Sequence, residues 1–538
     1  MLKRVFVAPD PGLLRLRSAV RSVLGVGLAV LVCAVTGHDL NAVITGGLAA
    51  LLALFTVTDP TVRGQAVTTA LLPAVGLPVL AVAALLHDVP LARDLAFVAV
   101  AGAGVYARRW GPRGHALGVF AFMTFFVTQF LRTVPEQLPE LYSAVALALL
   151  ASSAVRFGVW CYERRLPAPA AAPAPGGRGL ARATTRQAVQ VAVAAGFALA
   201  VGQALSQERW YWAVGAAWWI FVNTTSRGET LVRGFRRVLG TVIGIGAGLL
   251  VAVPLQGAVA PTAALVAVCV FGIFYSAPVS YSWMMLAVTV MVALLYGLLG
   301  VLEPGLLVLR LAETGVGAAG AALAVAFVLP ITTHAATNAW IERALRGVHG
   351  CTTAAARRLA GDPDADPAPL AAELEAVLGR ARLSLAPLVH PLSPLRARKA
   401  RARQVLALLD ACAREVRGLA SVAADPQASH DARLAAACWR VEAAVQALVS
   451  PGTEPGARSG AEPGTSPAAE PGTRYGAEPA VPVEASATPS VPAASPAPAA
   501  AHHPGADAAL HHLHGLERVL MELATPLHTS PRSPLVRS

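Results

Sequence analysis

Long apolar runs, each interrupted by a few polar or basic positions, follow one another through the first 330 residues. A helix that crosses a bilayer needs about 20 mostly apolar residues. The pattern predicts about twelve such segments. Six lie in the first half: Ser18–Gly37, Asn41–Thr58, Ala66–Leu86, Ala92–Tyr106, Ala116–Leu131 and Leu138–Trp160. Six follow in the second: Thr184–Leu205, Trp210–Asn223, Phe235–Val253, Pro261–Ser276, Tyr281–Gly300 and Leu306–Leu329. Beyond Pro330 the apolar positions recur with helical periodicity in a background of Ala, Leu and Arg. That predicts helices over Ala335–Ala360, Leu370–Leu388, Leu395–Ala424 and His430–Val449, and a last amphipathic one over Ala506–Ala524.

The expected fold is therefore all-α and polytopic, with a cytosolic helical C-terminal domain. It divides into a first six-span half (1–165), a Pro/Ala/Gly-rich linker (166–183) and a second six-span half (184–330). A cytosolic helical domain (331–450), a Pro/Gly/Ala-rich tract read as disordered (451–504) and a terminal helix with its tail (505–538) complete the chain. The halves read as a distant duplication. Arg63-Gly64 and Arg227-Gly228 are 164 residues apart, Gly76 and Gly240 keep that offset, and Arg21 and Arg186 are 165 apart. Six spans per half bring both in from the same side, as parallel repeats. The first half has lost the polar groups of the second: Pro73 and Leu77 stand opposite Arg237 and Thr241.

Composition agrees with a membrane protein: 55% of residues are hydrophobic and 14% charged, against about 25% in a soluble chain, and the mean hydropathy is +0.57. The net charge of +12 is unevenly placed. Basic residues crowd the N-terminus and the loops at Arg63, Arg108–Arg113, Arg164–Arg186 and Arg227–Arg237, whereas the other side holds only Arg93, Arg132 and Arg209. By the positive-inside rule both termini are expected in the cytoplasm, in the inner or plasma membrane. The charge is a topology signal, and no nucleic-acid partner is expected. The first apolar run is longer than a signal-peptide core and is read as a retained helix. The six cysteines are scattered without metal-ligand spacing. No phosphate-binding loop, zinc-protease or nucleophile-elbow motif occurs, so neither an enzyme nor a cofactor is expected.

One short pattern occurs twice: Arg237-x-x-Gly240-Thr241-x-x-Gly244 and Arg310-x-x-Glu313-Thr314-x-x-Gly317. Each places its arginine, threonine and glycine on one helix face. Charge within a span costs about 2.5–3.5 kcal/mol at the bilayer centre, and usually faces a protein interior or a water-filled path. Arg227, Arg233, Arg237, Thr241, Arg310, Glu313 and Thr314 are thus candidates for a substrate pathway. For Arg233 and Arg237 the readings are a carboxylate-attracting funnel or positive-inside topology. Arg236 points about 100° away, and topology alone is enough for it. For Arg310 and Glu313 they are a proton-carrying acid beside a cation, or a locked ion pair. Gly240, Gly244, Gly248 and Gly317 are read as helix-packing positions.

Trp210, Tyr211 and Trp212 fit an interfacial aromatic belt. Trp218 and Trp219 lie deeper, where they either stack on an aromatic ligand or fill space. The basic run from Arg396 to Arg403 is either lipid-facing or a solvated helix face. The histidines His502, His503, His511, His512 and His514 are not expected to form a metal site.

The stretch Trp210–Leu249, WYWAVGAAWWIFVNTTSRGETLVRGFRRVLGTVIGIGAGL, resembles the fusaric-acid-resistance-like (FUSC) family, also called the integral membrane bound transporter domain. The Trp-rich span, the Ser/Thr-Arg-Gly loop and the two Arg-x-x-[Gly/Glu]-Thr-x-x-Gly motifs carry the resemblance. It covers the second half well, the first faintly and the tail hardly at all. Family members include aromatic acid exporters, and related six-span proteins include plant malate channels. The resemblance implies an exporter of, or an anion path for, small organic acids. Secondary transport leads; a passive anion channel and a membrane-anchored sensing protein are the alternatives. Partners are then membrane lipids and a small organic anion, with a homo-oligomer left open.

Overall fold

The computed structural model describes residues 13–163, 179–224, 226–331, 333–359, 362, 364–389, 396–423, 432–449 and 504–528. Among these every regular element is a helix. The first twelve α-helices follow the apolar runs in order. They are α1 Leu14–Val35, α2 Leu40–Thr56, α3 Val62–Leu85, α4 Pro90–Tyr106, α5 Gly111–Leu131, α6 Leu138–Glu163, α7 Ala183–Leu205, α8 Tyr211–Phe221, α9 Arg227–Leu255, α10 Val259–Ser276, α11 Tyr281–Leu298 and α12 Pro304–Phe327.

By length and apolarity nine candidate membrane spans emerge among the described residues, with Pro90–Leu131 counted as one. That segment is not one straight rod. A 3-10 turn at Ala107–Trp110 and Gly111 at φ 75° interrupt it. The chain then doubles back, so that a methyl on Gly118 would lie 2.2 Å from the Gly104 carbonyl oxygen. The run Trp210–Asn223 differs most from its expectation as a full span. Its helix α8 has 11 residues, about 16 Å at 1.5 Å per residue, half the hydrocarbon thickness.

Sequence-coded caps start several helices. Asp39 accepts from the Ala42 N–H at 2.6 Å, Thr61 from Gly64 at 3.0 Å, and Ser226 from Glu229 at 3.4 Å. Thr61 and Ser226 open α3 and α9, the helices that carry Arg63-Gly64 and Arg227-Gly228.

Most helix pairs recur in the two halves, although α2 against α5 in the first and α8 against α9 in the second have no comparable counterpart. In the first, α1 packs on α2 and α6, α2 on α6, α3 on α5 and α6, and α4 on α5. In the second, α7 packs on α8 and α12, α8 on α12, α9 on α11 and α12, and α10 on α11. The halves meet where α4 packs on α7, α10 on α1 and, less extensively, α5 on α8. An aromatic seam runs between them: Phe97 meets Trp210 edge-on at 5.8 Å, and Phe122 stacks on Trp218 at 4.1 Å with rings 7° from parallel.

Five more helices enclose a second hydrophobic core: α13 Thr333–Leu359, α14 Pro367–Val389, α15 Arg396–Ala423, α16 Ala432–Val449 and α17 Pro504–His528. The last lies against α15 and α16. This second bundle touches the first through α14 against α9. The tract 451–503 and residues 164–178 of the linker lie outside the described residues.

Candidate functional site

α9 and α12 carry the two polar motifs, and their close packing brings the motifs to one place. α9 approaches α11 through its glycine stripe. A methyl on Gly240 would lie 2.6 Å from the Ser282 carbonyl oxygen, and one on Gly244 2.7 Å from Thr289 Cβ. A methyl on Gly317 would lie 2.5 Å from the Ala213 carbonyl oxygen, so α12 presses equally close on α8. The glycines thereby set how far the neighbouring arginines reach.

Arg237 and Arg310 both line a cavity of about 110 Å³ enclosed by helices of both halves. Its wall is otherwise apolar, with Phe55, Phe126, Phe130, Trp212 and Trp219 and the methionines Met123, Met284, Met285 and Met291. Both arginines are buried, Arg237 at 7% and Arg310 at 5% exposure. Arg237 donates through Nη1 to the Tyr281 hydroxyl at 3.2 Å and to the Met285 sulfur at 3.1 Å. The Arg310 guanidinium carbon stands 3.8 Å from the centre of the Trp212 ring. Trp212 is held by its own bond from Nε1 to the Tyr296 hydroxyl at 2.8 Å. Arg237 Nε and Arg310 Nη1 are buried without a hydrogen-bond partner.

Glu313, one turn beyond Arg310, is 1% exposed, and its Oε1 has no partner either. No ion pair joins it to Arg310, whose cation is turned toward Trp212 instead; the locked pair is not formed. The Thr314 hydroxyl donates to the Arg310 carbonyl at 2.8 Å, and Thr241 is buried away from the cavity wall.

Below this cavity is a wider vestibule of about 380 Å³. It shares Phe55, Trp219 and Met284 with the upper cavity as a common wall. Arg233, Arg236 and Glu229 line it from α9, and Arg380 and Leu383 reach it from α14 of the second bundle. The Arg233 guanidinium lies 4.0 Å from the Tyr281 ring centre. Arg236 therefore does reach the mouth. The vestibule is wide enough that a side chain of arginine's length, set about 100° round the helix, still lines it.

Other expectations change too. Arg227 is exposed and lines neither chamber; its backbone N–H donates to the Ile331 carbonyl at 3.0 Å, closing the start of α9. Trp210, Tyr211 and Trp212 are buried among neighbouring helices and so do not form an exposed aromatic belt. Trp218 faces away from the cavity, stacked on Phe122 and donating from Nε1 to the Ala101 carbonyl at 3.0 Å. Trp219 lines the cavity and donates to the Met123 sulfur at 3.3 Å. His512 pairs with Glu415 at 2.9 Å and His514 with Arg440 at 2.9 Å. Among the described residues no group of three or more His, Cys, Asp or Glu is arranged to hold a metal. His502 and His503, and the side chains of Arg396, Arg398 and Lys399, lie outside the described residues.

The apolar helices and the charge-lined chamber inside them define a polytopic helical membrane protein. Residues 197–324, from the last turns of α7 into α12, match the family model described as fusaric acid resistance protein-like. Every motif residue from Arg237 to Gly317 falls within that match. No curated protein and no solved structure matches the chain. The match and the many apolar helices point to a membrane transporter of the efflux kind.

Proposed function

We propose that the chain is a secondary transporter that exports small aromatic carboxylates. In this reading it is built as two parallel six-helix repeats in the cell membrane, with both termini cytoplasmic. The observation that carries the substrate class is the pair of buried, incompletely paired guanidinium groups in an otherwise aromatic and methionine-rich chamber. A cation held in an apolar interior without a counter-ion is unfavourable, and an anion entering between two of them relieves that penalty. A carboxylate meets a guanidinium fork with two parallel hydrogen bonds, and an aromatic body suits the remaining wall. The repeat reading is supported by the matching helix pairs in the two halves. Cytoplasmic placement of the Arg233 mouth is supported by the basic loops on that side.

Carrier behaviour is favoured over a passive pore because Phe55, Trp219 and Met284 divide the cavity from the vestibule. Passage then needs those side chains to move.

The test is flux of radiolabelled benzoate in proteoliposomes holding the full-length protein. Saturable flux is expected, falling about tenfold or more in Arg237→Ala and Arg310→Ala, as befits loss of a charged hydrogen bond. Flux that rises linearly with concentration, or that both variants leave unchanged, overturns the proposal.

A further inference from the structure

The vestibule belongs to two bundles at once. Its upper wall and sides come from α2, α8, α9, α11 and the α10–α11 turn, and Arg380 and Leu383 of α14 cover its far side. Arg233, Arg236 and Arg380 all line it, and among the described residues Glu229 is the one acidic side chain on its wall. None of the three arginines makes an ion pair among the described residues. Arg233 Nε is buried without a hydrogen-bond partner. Behind the wall Arg108 donates to the Gln187 side chain and the Phe221 carbonyl, each at 3.3 Å, adding a fourth positive charge nearby. Like charges brought together from separate bundles repel, so docking of α14 over the mouth is opposed by its own arginine.

We propose that the vestibule is an anion-binding antechamber, where a small carboxylate held by Arg233, Arg236 and Arg380 fastens α14 of the second bundle over the mouth. Occupation and closure are then linked: the anion binds the docked arrangement more tightly because only there do all three guanidinium groups reach it. The second bundle thus becomes part of the transport path, as a cover that senses the solute concentration below the membrane. This rests on the transport reading only in taking the vestibule as the mouth of the upper cavity; the binding itself does not require flux.

The experiment is hydrogen–deuterium exchange of the 367–389 segment in the full-length protein in nanodiscs. Exchange is compared in sodium benzoate and in sodium chloride of equal ionic strength. Benzoate at ten times its dissociation constant is expected to slow exchange that proceeds through undocking by about tenfold. Arg380→Ala is expected to abolish the response. Arg380→Glu is expected to be protected without benzoate, because the carboxylate itself pairs with Arg233 and Arg236. No response in the wild type, or an equal response in Arg380→Ala, overturns the proposal. A parallel arm with inorganic phosphate, and another in nanodiscs of anionic lipid, separates a free carboxylate from a phosphate or headgroup; protection by either of these in place of benzoate refutes the carboxylate assignment. If benzoate protects α14 but proteoliposomes show no flux, the transport reading fails and the antechamber stands.

Discussion

Arg310 and Trp212 are fixed face to face, the guanidinium carbon 3.8 Å from the ring centre, so the cation of α12 is oriented by the π-face of α8. A desolvated contact of this kind is worth about 2 kcal/mol. Trp212→Leu is therefore expected to reduce benzoate flux by about tenfold or more. Trp212→Phe retains most of it, although it loses the bond to Tyr296. Initial rates in proteoliposomes at matched protein density measure both.

Two glycines on α9 are expected to respond oppositely to the same change. A methyl on Gly240 meets the Ser282 carbonyl oxygen at 2.6 Å and Met285 Cβ at 2.9 Å, whereas one on Gly246 meets nothing within 4 Å. Gly240→Ala is expected to destabilise by about 1–3 kcal/mol through overpacking. Gly246→Ala is expected to be neutral or to gain up to about 1 kcal/mol from helix propensity. Thermal unfolding of the detergent-solubilised protein separates them as a lowered and an unchanged or raised midpoint.

Glu313 is buried with an unpartnered Oε1 beside, but not bonded to, Arg310. Such a carboxyl is suited to carry a proton across the cycle. Glu313→Gln is expected to leave benzoate exchange across the membrane intact and to remove its dependence on an imposed pH gradient. Proteoliposomes loaded at one pH and diluted into another measure both; a variant still driven by the gradient excludes Glu313 as the coupling group.

Asp362, between α13 and α14, is held below the usual carboxylate range by the Asp364 backbone N–H first and by Arg357 second. A carboxyl depressed in the folded state stabilises above its ordinary value near pH 4 and loses that contribution as pH falls through the folded value. The difference in melting midpoint between the wild type and Asp362→Asn is expected to be larger at pH 6 than at pH 3. Differential scanning fluorimetry of the full-length protein at both values checks the sign.

The buried charges were legible because an arginine or glutamate inside an apolar run has few innocent explanations; Arg237, Arg310 and Glu313 stand out for that reason. The apolar wall was not legible. Phe55, Met123 and Met285 line the cavity, yet nothing in their local pattern separates a cavity wall from a filled core. The burial of Trp212 was not legible either, because an aromatic at the end of an apolar run looks exposed, and only the short α8 and the helices around it cover the ring. Arg380 carries no local signal: it lies 144 positions from Arg236 in the chain, and tertiary docking alone puts the two on one chamber. The Arg-Gly spacing falls at the starts of α3 and α9, two helices that take similar partners, α5 and α6 for one and α11 and α12 for the other.

The truncated α8 leaves closing carbonyl groups, next to the vestibule wall at Val222–Thr224, that its own short helix does not use. Arg108 donates to the oxygen of Phe221, and Gln187 of α7 to that of Thr224 at 2.5 Å. Thr224 itself also donates to the Phe221 oxygen, from its N–H at 3.3 Å and its hydroxyl at 3.1 Å. The place where α8 stops is thus tied at once to its own Thr224, to Gln187 of α7 and to the Arg108 turn of the first half, so a shift of any one of them is transmitted to the others.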